Sequence, residues 1–144
     1  MRRPFLIIAL LLAGCGGPAA PTVDPITSAD DARAALQGAP HPDGQIELQR
    51  MTQAKAALDK ERSATLAEVE TLERAFQGTQ IAGELSGATE PDAGGSAIKS
   101  QAQSKLDLLR RRVTERLDPD LAAVEQRLAA AAAQLKIQTE QRLP

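Results

Sequence analysis

The last long segment of the chain, residues 96–142, reads SAIKSQAQSKLDLLRRRVTERLDPDLAAVEQRLAAAAAQLKIQTEQR. Its apolar residues recur in steps of three and four, which is the period of a helix with one buried face. The stripe comprises Ile98, Ala102, Leu106, Leu109, Val113, Leu117, Leu121, Val124, Leu128, Ala131 and Leu135. Ser96 is a suitable N-cap. The pattern therefore predicts one long helix over residues 96–142, with its first turn capped by Ser96.

The dipeptide Asp118-Pro119 lies inside this predicted helix. Proline is tolerated in the first turn of a new helix, and Asp118 would then be the N-cap of that helix. The apolar stripe nevertheless crosses the proline in phase, because Leu117 and Leu121 are one four-residue step apart. We therefore expect a kink near Pro119, with a break between two helices as the alternative.

A second long helix is predicted for residues 45–77, which contain neither proline nor glycine. At 1.5 Å per residue this helix would be about 50 Å long. Its apolar stripe comprises Ile46, Met51, Leu58, Leu66, Val69, Leu72 and Phe76, and it is interrupted by Lys55, Arg62 and Thr65. Residues 78–95 hold five glycines and one proline, and this composition predicts a flexible linker that begins at Gly78.

The region before residue 45 is predicted to hold one short helix. Ser28 is a suitable N-cap, Asp30 and Asp31 favour the first turn, and the helix would cover residues 28–37. Residues 38–44 contain two prolines and two glycines and are predicted to form a loop. Residues 15–27 are rich in proline, glycine and alanine, and we expect a disordered tether there.

Charge and composition favour helices that pack on one another. Residues 16–95 carry 6 basic and 13 acidic residues, a net charge of −7, whereas residues 96–144 carry 9 and 6, a net charge of +3. The sequence therefore predicts an all-α fold, either an elongated antiparallel helical hairpin or a coiled-coil-like small bundle. With two phenylalanines and no tryptophan or tyrosine, its core would be thin. We expect a third helix, self-association or a partner to complete it.

The first residues of the chain have the three parts of a secretory signal. Arg2 and Arg3 form a positive start, an apolar block extends from Phe5 to Ala13, and the small residue Gly14 precedes Cys15, the one cysteine of the sequence. This arrangement resembles the signal peptide of a bacterial lipoprotein, with Leu12-Ala13-Gly14-Cys15 as the lipobox. The resemblance implies that Leu12, Ala13 and Gly14 are read by the signal peptidase and that residues 1–14 are removed. Cys15 would then carry diacylglycerol and anchor the chain to a membrane.

Alternatives remain for the signal and for the final location. An ordinary signal peptide would leave Cys15 as an incidental free thiol, and Arg2-Arg3-Pro4-Phe5-Leu6 also resembles the core of a twin-arginine signal. The short basic start and the strongly apolar block favour the general secretory route. In lipoproteins the residue after the cysteine influences sorting, and Gly16 favours the outer membrane facing the periplasm if the cell has two membranes. Otherwise we expect the outer face of the cytoplasmic membrane.

The sequence does not contain a recognisable set of catalytic residues. Removal of residues 1–14 leaves 15 basic and 19 acidic residues, and this net charge of −4 argues against nucleic-acid binding. His41 is the one histidine, and no neighbouring spacing supplies further metal ligands. A phosphate-binding glycine loop is also missing from the sequence. We therefore expect a protein that is not an enzyme and that has no metal or cofactor.

Arg110, Arg111, Arg112 and Arg116 are the candidate binding residues. They could bind an anionic partner such as lipid headgroups or an acidic helix. The alternative, which we favour, is a solvated helix face with the local pairs Asp107–Arg111 and Arg111–Glu115.

The expected function follows from the anchor and the helices. It is that of a lipid-anchored envelope protein acting as a spacer, a structural element or an adaptor. Its partners would be the membrane, through Cys15, and a protein or a second copy bound through the amphipathic helices. The alternative is a periplasmic ligand-binding lipoprotein with a small helical bundle.

Overall fold

The structure, a computed structural model, describes residues 24–85 and 93–142, and all regular structure in these residues is helical. Helix α1 covers Ala29–Gln37, α2 covers Gly44–Leu85, α3 covers Ala93–Arg112 and α4 covers Asp118–Glu140, with a π-helical turn at Val113–Leu117 between α3 and α4. The predicted all-α class is confirmed.

Helix α1 begins with a reciprocal pair of hydrogen bonds. The backbone amide of Asp31 donates to the Ser28 hydroxyl at 3.1 Å, and the backbone amide of Ser28 donates to the Asp31 carboxylate at 3.1 Å. The hydroxyl of Ser28 also donates to this carboxylate, and these bonds lower the pKa of Asp31. Such a capping box satisfies amides that have no partner inside the helix. The helix ends where the amide of Gly38 donates to Ala34.

The four described residues of the predicted tether, 24–27, are ordered against the helices. The amide of Ile26 donates to the side-chain oxygen of Gln53 at 3.1 Å, and Ile26 packs against the core. The prediction of a disordered tether was therefore wrong for these residues, because the apolar side chain of Ile26 packs against the helices. The rest of the tether and residues 1–14 lie outside the described residues.

The predicted end of the second helix was wrong. Helix α2 continues through Gly78 to Leu85, and α3 begins at Ala93, before the predicted cap at Ser96. The predicted linker 78–95 is thus helical over its two ends, and residues 86–92 lie outside the described part of the chain. The physical reason is that glycine in a helix costs about 1 kcal/mol but keeps its amide, so that it weakens a helix without ending it.

The chain remains helical across Asp118-Pro119, with no break between α3 and α4. The amide of Asp118 donates to the carbonyl of Val113, five residues earlier, which defines the wider π turn. Proline has no amide hydrogen, and in an α-helix its ring would crowd the carbonyl four residues before it. One extra residue in the turn relieves this crowding. Val113 and Leu117 remain buried, so the apolar stripe passes the proline.

Helix α2 is antiparallel to α3 and α4. Ion pairs follow this arrangement from one end of the bundle to the other, with Lys105–Glu68 on α3, then Arg62–Asp118 and Lys55–Glu125 along α4. Helix α1 packs against α2 and α4. The molecule therefore has a three-helix half, made of α1, the first part of α2 and α4, and a two-helix half, made of α3 and the rest of α2.

The core is divided in the same way. The larger cluster belongs to the three-helix half and comprises Ala32, Ala35, Met51, Ala54, Leu58, Val113, Leu117 and Val124. The smaller cluster belongs to the two-helix half and comprises Val69, Leu106 and Leu109. Leu66 and Ile98, which the sequence pattern placed in the buried stripes, are exposed. The predicted thin core is therefore thinnest where a third helix is missing.

Two glycines of α2 have opposite surroundings. A Cβ atom at Gly44 would lie 3.0 Å from the backbone nitrogen of Leu135 and 3.1 Å from the carbonyl oxygen of Ala131. A Cβ atom at Gly78 would meet nothing within 4 Å. Gly44 therefore permits close contact between α2 and α4, whereas Gly78 only leaves α2 with a residue of low helix propensity.

We expect alanine substitutions at these two positions to change stability in opposite directions. Gly78→Ala should raise the free energy of unfolding by about 0.5–1 kcal/mol through helix propensity. Gly44→Ala should lower it by about 1–3 kcal/mol, because the added methyl group pushes against backbone atoms that cannot rotate away. Urea unfolding followed by circular dichroism measures both changes. Equal effects at the two glycines would contradict the close contact at Gly44.

Candidate functional site

The residues of the lipobox, Leu12, Ala13, Gly14 and Cys15, lie outside the described residues. Their predicted roles in processing and lipid attachment therefore remain predictions from the sequence. Among residues 24–85 and 93–142, none of the helices combines the length and the apolarity that crossing a bilayer requires.

The four arginines of the predicted anionic-partner patch differ in their ion pairs. Arg110 forms an ion pair with Glu73 of α2 at 2.6 Å, and the Nε atom of Arg112 donates to Glu61 of α2 at 3.1 Å. These two side chains join α3 to α2, although both remain about half exposed, and Arg112 lines one groove together with Arg111 and Arg116. Successive residues lie 100° apart on a helix, so these arginines meet different neighbours, and their binding of an anionic partner stays a prediction.

All four arginines are exposed, and Arg111 and Arg116 differ from the other two in their ion pairs. Neither forms an ion pair with an acidic residue in the described part of the chain, and the expected pairs Asp107–Arg111 and Arg111–Glu115 are not formed within 4 Å. Arg111 and Arg116 are thus exposed, without the local pairs that the sequence suggested.

An open groove follows this face of α3 and the π turn. It has a volume of about 690 Å³ and is lined by Ser104, Asp107, Leu108, Arg111, Arg112, Glu115 and Arg116. A second groove, of about 310 Å³, lies between α1 and the start of α4 and shares Glu115 and Arg116 with the first. Leu108 is 67% exposed and is the one large apolar side chain of the first groove. Acidic and basic groups are mixed along both grooves, so neither forms a strongly cationic site.

A buried ion pair joins α2 to α4 in the three-helix half. The side chain of Glu47 is 2% exposed, and its Oε1 atom lies 2.6 Å from the Nη2 atom of Arg127. These two atoms lack hydrogen-bond alignment, so their contact is an ion pair without a well-directed hydrogen bond. The other carboxylate oxygen of Glu47 lies 3.4 Å from Arg50 and accepts the backbone amide of His41 at 3.0 Å. Glu47 therefore connects the loop before α2 to α4.

Arg127 also closes the end of α1. Its Nη1 atom donates to the carbonyl oxygens of Ala35, Leu36 and Gly38 at 2.9, 3.1 and 3.1 Å. The last carbonyls of a helix have no partner within the helix, and a cation placed there also interacts favourably with the helix dipole. Arg127 thus donates hydrogen bonds to the end of α1 and also provides the positive charge that pairs with Glu47.

Sequence reasoning missed the pair Glu47–Arg127, although a signal was present. Glu47 precedes Met51, Ala54 and Leu58 by four, seven and eleven residues, which is the spacing of one helix face. The three apolar residues are fully buried. An acidic residue at the head of that stripe requires a cationic partner, because a buried charge is stable only when it is paired.

Arg33 forms the second polar connection of α1. Its Nε atom donates to Asp120 of α4 at 2.8 Å and its Nη2 atom to Glu61 of α2 at 3.2 Å, while Nη1 bonds Asp30 within α1. Burial is the largest single influence on the pKa of Arg33 and would lower it. The hydrogen bond to Asp120 and the charges of Glu61 and Asp120 outweigh it, so the pKa of Arg33 is raised.

His41 lies in the loop between α1 and α2. Its Nδ1 atom accepts the backbone amide of Asp43 at 3.0 Å, and the carboxylate of Asp43 accepts the amide of Gln45 at 2.8 Å at the start of α2. Within the described residues, no group of three His, Cys, Asp or Glu side chains is arranged to hold a metal ion. The hydrogen bonds of His41 join it to Asp43 within the loop and to Glu47 of α2.

Comparisons of the chain with models of known protein families, with curated proteins and with solved structures find no match.

Proposed function

We propose that this protein is a lipid-anchored, non-enzymatic protein of the bacterial cell envelope that acts as a spacer or adaptor. The observation that carries the proposal is the lipobox Leu12-Ala13-Gly14-Cys15, which follows a basic start and an apolar block. The anchor would hold the helices at a membrane surface, and Gly16 favours the outer membrane in a cell that has two membranes.

The helical architecture supports the spacer or adaptor part of the proposal. Helix α2 has 42 residues and is therefore about 63 Å long. Ion pairs with α3 and α4 stabilise it along its length, as Glu68–Lys105 and Lys55–Glu125 illustrate. A rod of this length that is attached at one end can present contacts well away from the bilayer. The two grooves described above are open and charged, so the ligand-binding alternative, which needs a closed apolar pocket, gains no support from them.

The anchor is tested by Cys15→Ser, which replaces the sulfur that would carry the lipid. Cells producing the variant are grown with radiolabelled palmitate and then separated into membrane and soluble fractions. We expect the label to be lost from the protein and the protein to leave the membrane fraction. Ala19→Ser introduces the same side chain four residues later and should keep both label and membrane association. Unchanged labelling of the Cys15→Ser variant would refute the lipid anchor.

The adaptor role needs a separate experiment. Intact cells that produce the unaltered protein are treated with an amine-reactive crosslinker, since Lys60, Lys99 and Lys136 are exposed. We expect discrete crosslinked species that contain a second copy or another envelope protein. A protein that is lipidated but remains monomeric and without crosslinks would contradict the adaptor role while leaving the anchor intact.

A further inference from the structure

Helix α1 covers an apolar groove with a small apolar surface of its own. The groove is formed by α2, the π turn and α4, and fully buried side chains at its floor include Met51, Leu58, Leu117 and Val124. The fully or nearly fully buried residues of α1 are two alanines, Ala32 and Ala35. Ala29 and Leu36 of α1 also pack against the core, but both are only partly buried. Because alanine buries little area and Leu36 is only partly covered, α1 gains less from the hydrophobic effect than α2 and α4 do.

Polar contacts therefore contribute much of the attachment of α1. Arg33 reaches Glu61 and Asp120, and Arg127 donates to the carbonyls at the end of the helix. A helix of nine residues is not stable alone in water, so α1 unfolds when it leaves the groove.

When α1 leaves, the charged side chains of α2 and α4 that contact it keep another counter-ion or become solvated. Glu61 also pairs with Arg112 of α3, and Glu47 keeps both Arg127 and Arg50. Asp120 is already partly exposed and can be solvated. Opening of α1 would therefore leave no buried charge without a counter-ion, and this removes the usual high cost of breaking such contacts.

The remaining helices are joined by contacts in which α1 takes no part. Lys55–Glu125, Arg62–Asp118 and Lys105–Glu68 connect α2 to α3 and α4 directly. Gly44 packs directly on the backbone of α4 near Ala131. The antiparallel pair can thus persist when its third helix is absent, as it already does in the two-helix half.

From these contacts we propose that α1 is a releasable cover. It opens as a unit and uncovers the apolar groove while α2, α3 and α4 stay paired. This inference is independent of the lipid anchor and of the adaptor role, since it concerns only the contacts among the described helices. Local opening of this kind occurs in cooperative units whose free energy lies below that of global unfolding.

Hydrogen exchange measured by mass spectrometry on the full chain tests the cover. In the unaltered protein, the amides of residues 32–37 should be protected at least about tenfold less than the central amides of α2 and α4. Their exchange should depend only weakly on urea, because opening exposes little surface. Protection of α1 equal to that of α2, with the same dependence on urea, would show that α1 opens only with the whole domain and would overturn the proposal.

A matched pair of substitutions provides the second test. Ala32→Gln forces a long side chain into the contact of α1 with the groove, whereas Ala34→Gln places the same side chain on the exposed side of α1. Ala32→Gln should speed exchange in α1 at least about tenfold through overpacking and leave the central amides of α2 and α4 unchanged. Ala34→Gln should leave all three helices within about threefold of the unaltered protein, as expected for a surface substitution. Equal loss of protection in all helices of the Ala32→Gln variant, or no loss in α1, would overturn the proposal.

Discussion

Arg127→Met is expected to lower the free energy of unfolding by about 3–5 kcal/mol, the cost of leaving a buried charge without its partner. Glu47 is 2% exposed and would lose its closest cation, at 2.6 Å, while Arg50 at 3.4 Å remains. The carbonyls of Ala35, Leu36 and Gly38 would lose the donor that closes α1. Methionine keeps the unbranched stem of arginine, so the change is mainly one of charge and hydrogen bonding. Urea unfolding at neutral pH measures the loss.

Arg110→Met is the matched control for this prediction. Arg110 makes an ion pair of the same length, 2.6 Å, with Glu73, but the side chains of both partners are more than one-third exposed. Solvent and salt screen such a pair, and its removal should cost less than about 1 kcal/mol. If Arg127→Met and Arg110→Met had similar effects, the Glu47–Arg127 pair would not be buried as the structure has it.

The double variant Glu47→Leu/Arg127→Met separates the cost of an unpaired charge from the value of the pair. Removal of both partners leaves no buried charge, and apolar replacement of a buried ion pair is often neutral or stabilising. We expect the double variant to recover at least about half of the stability that Arg127→Met loses, with the open carbonyls of α1 accounting for the remainder. A double variant that is less stable than Arg127→Met would contradict this explanation.

Leu117→Ala is expected to lower the free energy of unfolding by about 2–5 kcal/mol. Leu117 is the last residue of the π turn, is fully buried, and belongs to the larger core cluster between α1, α2 and α4. Truncation removes apolar contacts and leaves a cavity that the surrounding helices can fill only in part. Because alanine has a higher helix propensity than leucine, the loss cannot come from a weaker helix.

Leu108→Ala is the control on the same helical segment. Leu108 is 67% exposed on α3, nine residues before Leu117, and its side chain lies in the open groove. Its truncation should change the free energy of unfolding by no more than about 0.5 kcal/mol. Equal effects of the two substitutions would mean that the π turn does not hold Leu117 in the core.

The pattern of apolar residues was sufficient to predict the helices and most of their buried faces. Leu106, Leu109, Val113, Leu117 and Val124 are buried, as the steps of three and four residues require. The pattern failed for Leu66 and Ile98, which are exposed. Periodicity reports which face of a helix is apolar, but a residue is buried only where another element covers it. The two-helix half provides no such cover for these residues.

The limits of glycine as a stop signal explain the errors at the ends of the helices, whereas the helix predicted to cross Pro119 does so. Gly78 was expected to end α2, yet the helix continues to Leu85. Glycine lowers helix stability without removing a hydrogen bond, so neighbouring residues can carry the helix through it. Pro119 has no backbone amide hydrogen to donate, and the chain forms a π turn before it that keeps Leu117 in the core. Whether the helix continues past each of these residues depends on how much apolar surface the following residues bury.

By itself, the sequence determined the helical class, the position of α1, the continuity of the apolar stripe across Pro119 and the resemblance of residues 1–15 to a lipoprotein signal. Each of these follows from local order along the chain, namely period, capping residues and signal composition. Only the tertiary structure decided that Glu47 pairs with Arg127, that Arg110 and Arg112 pair with α2 while Arg111 and Arg116 form no ion pair within the described residues, and that α1 covers only half of the hairpin. These features join residues as far as 92 positions apart. The register between the antiparallel helices decides which acidic and basic side chains form ion pairs. Close contacts such as that of Gly44 with Leu135 set this register.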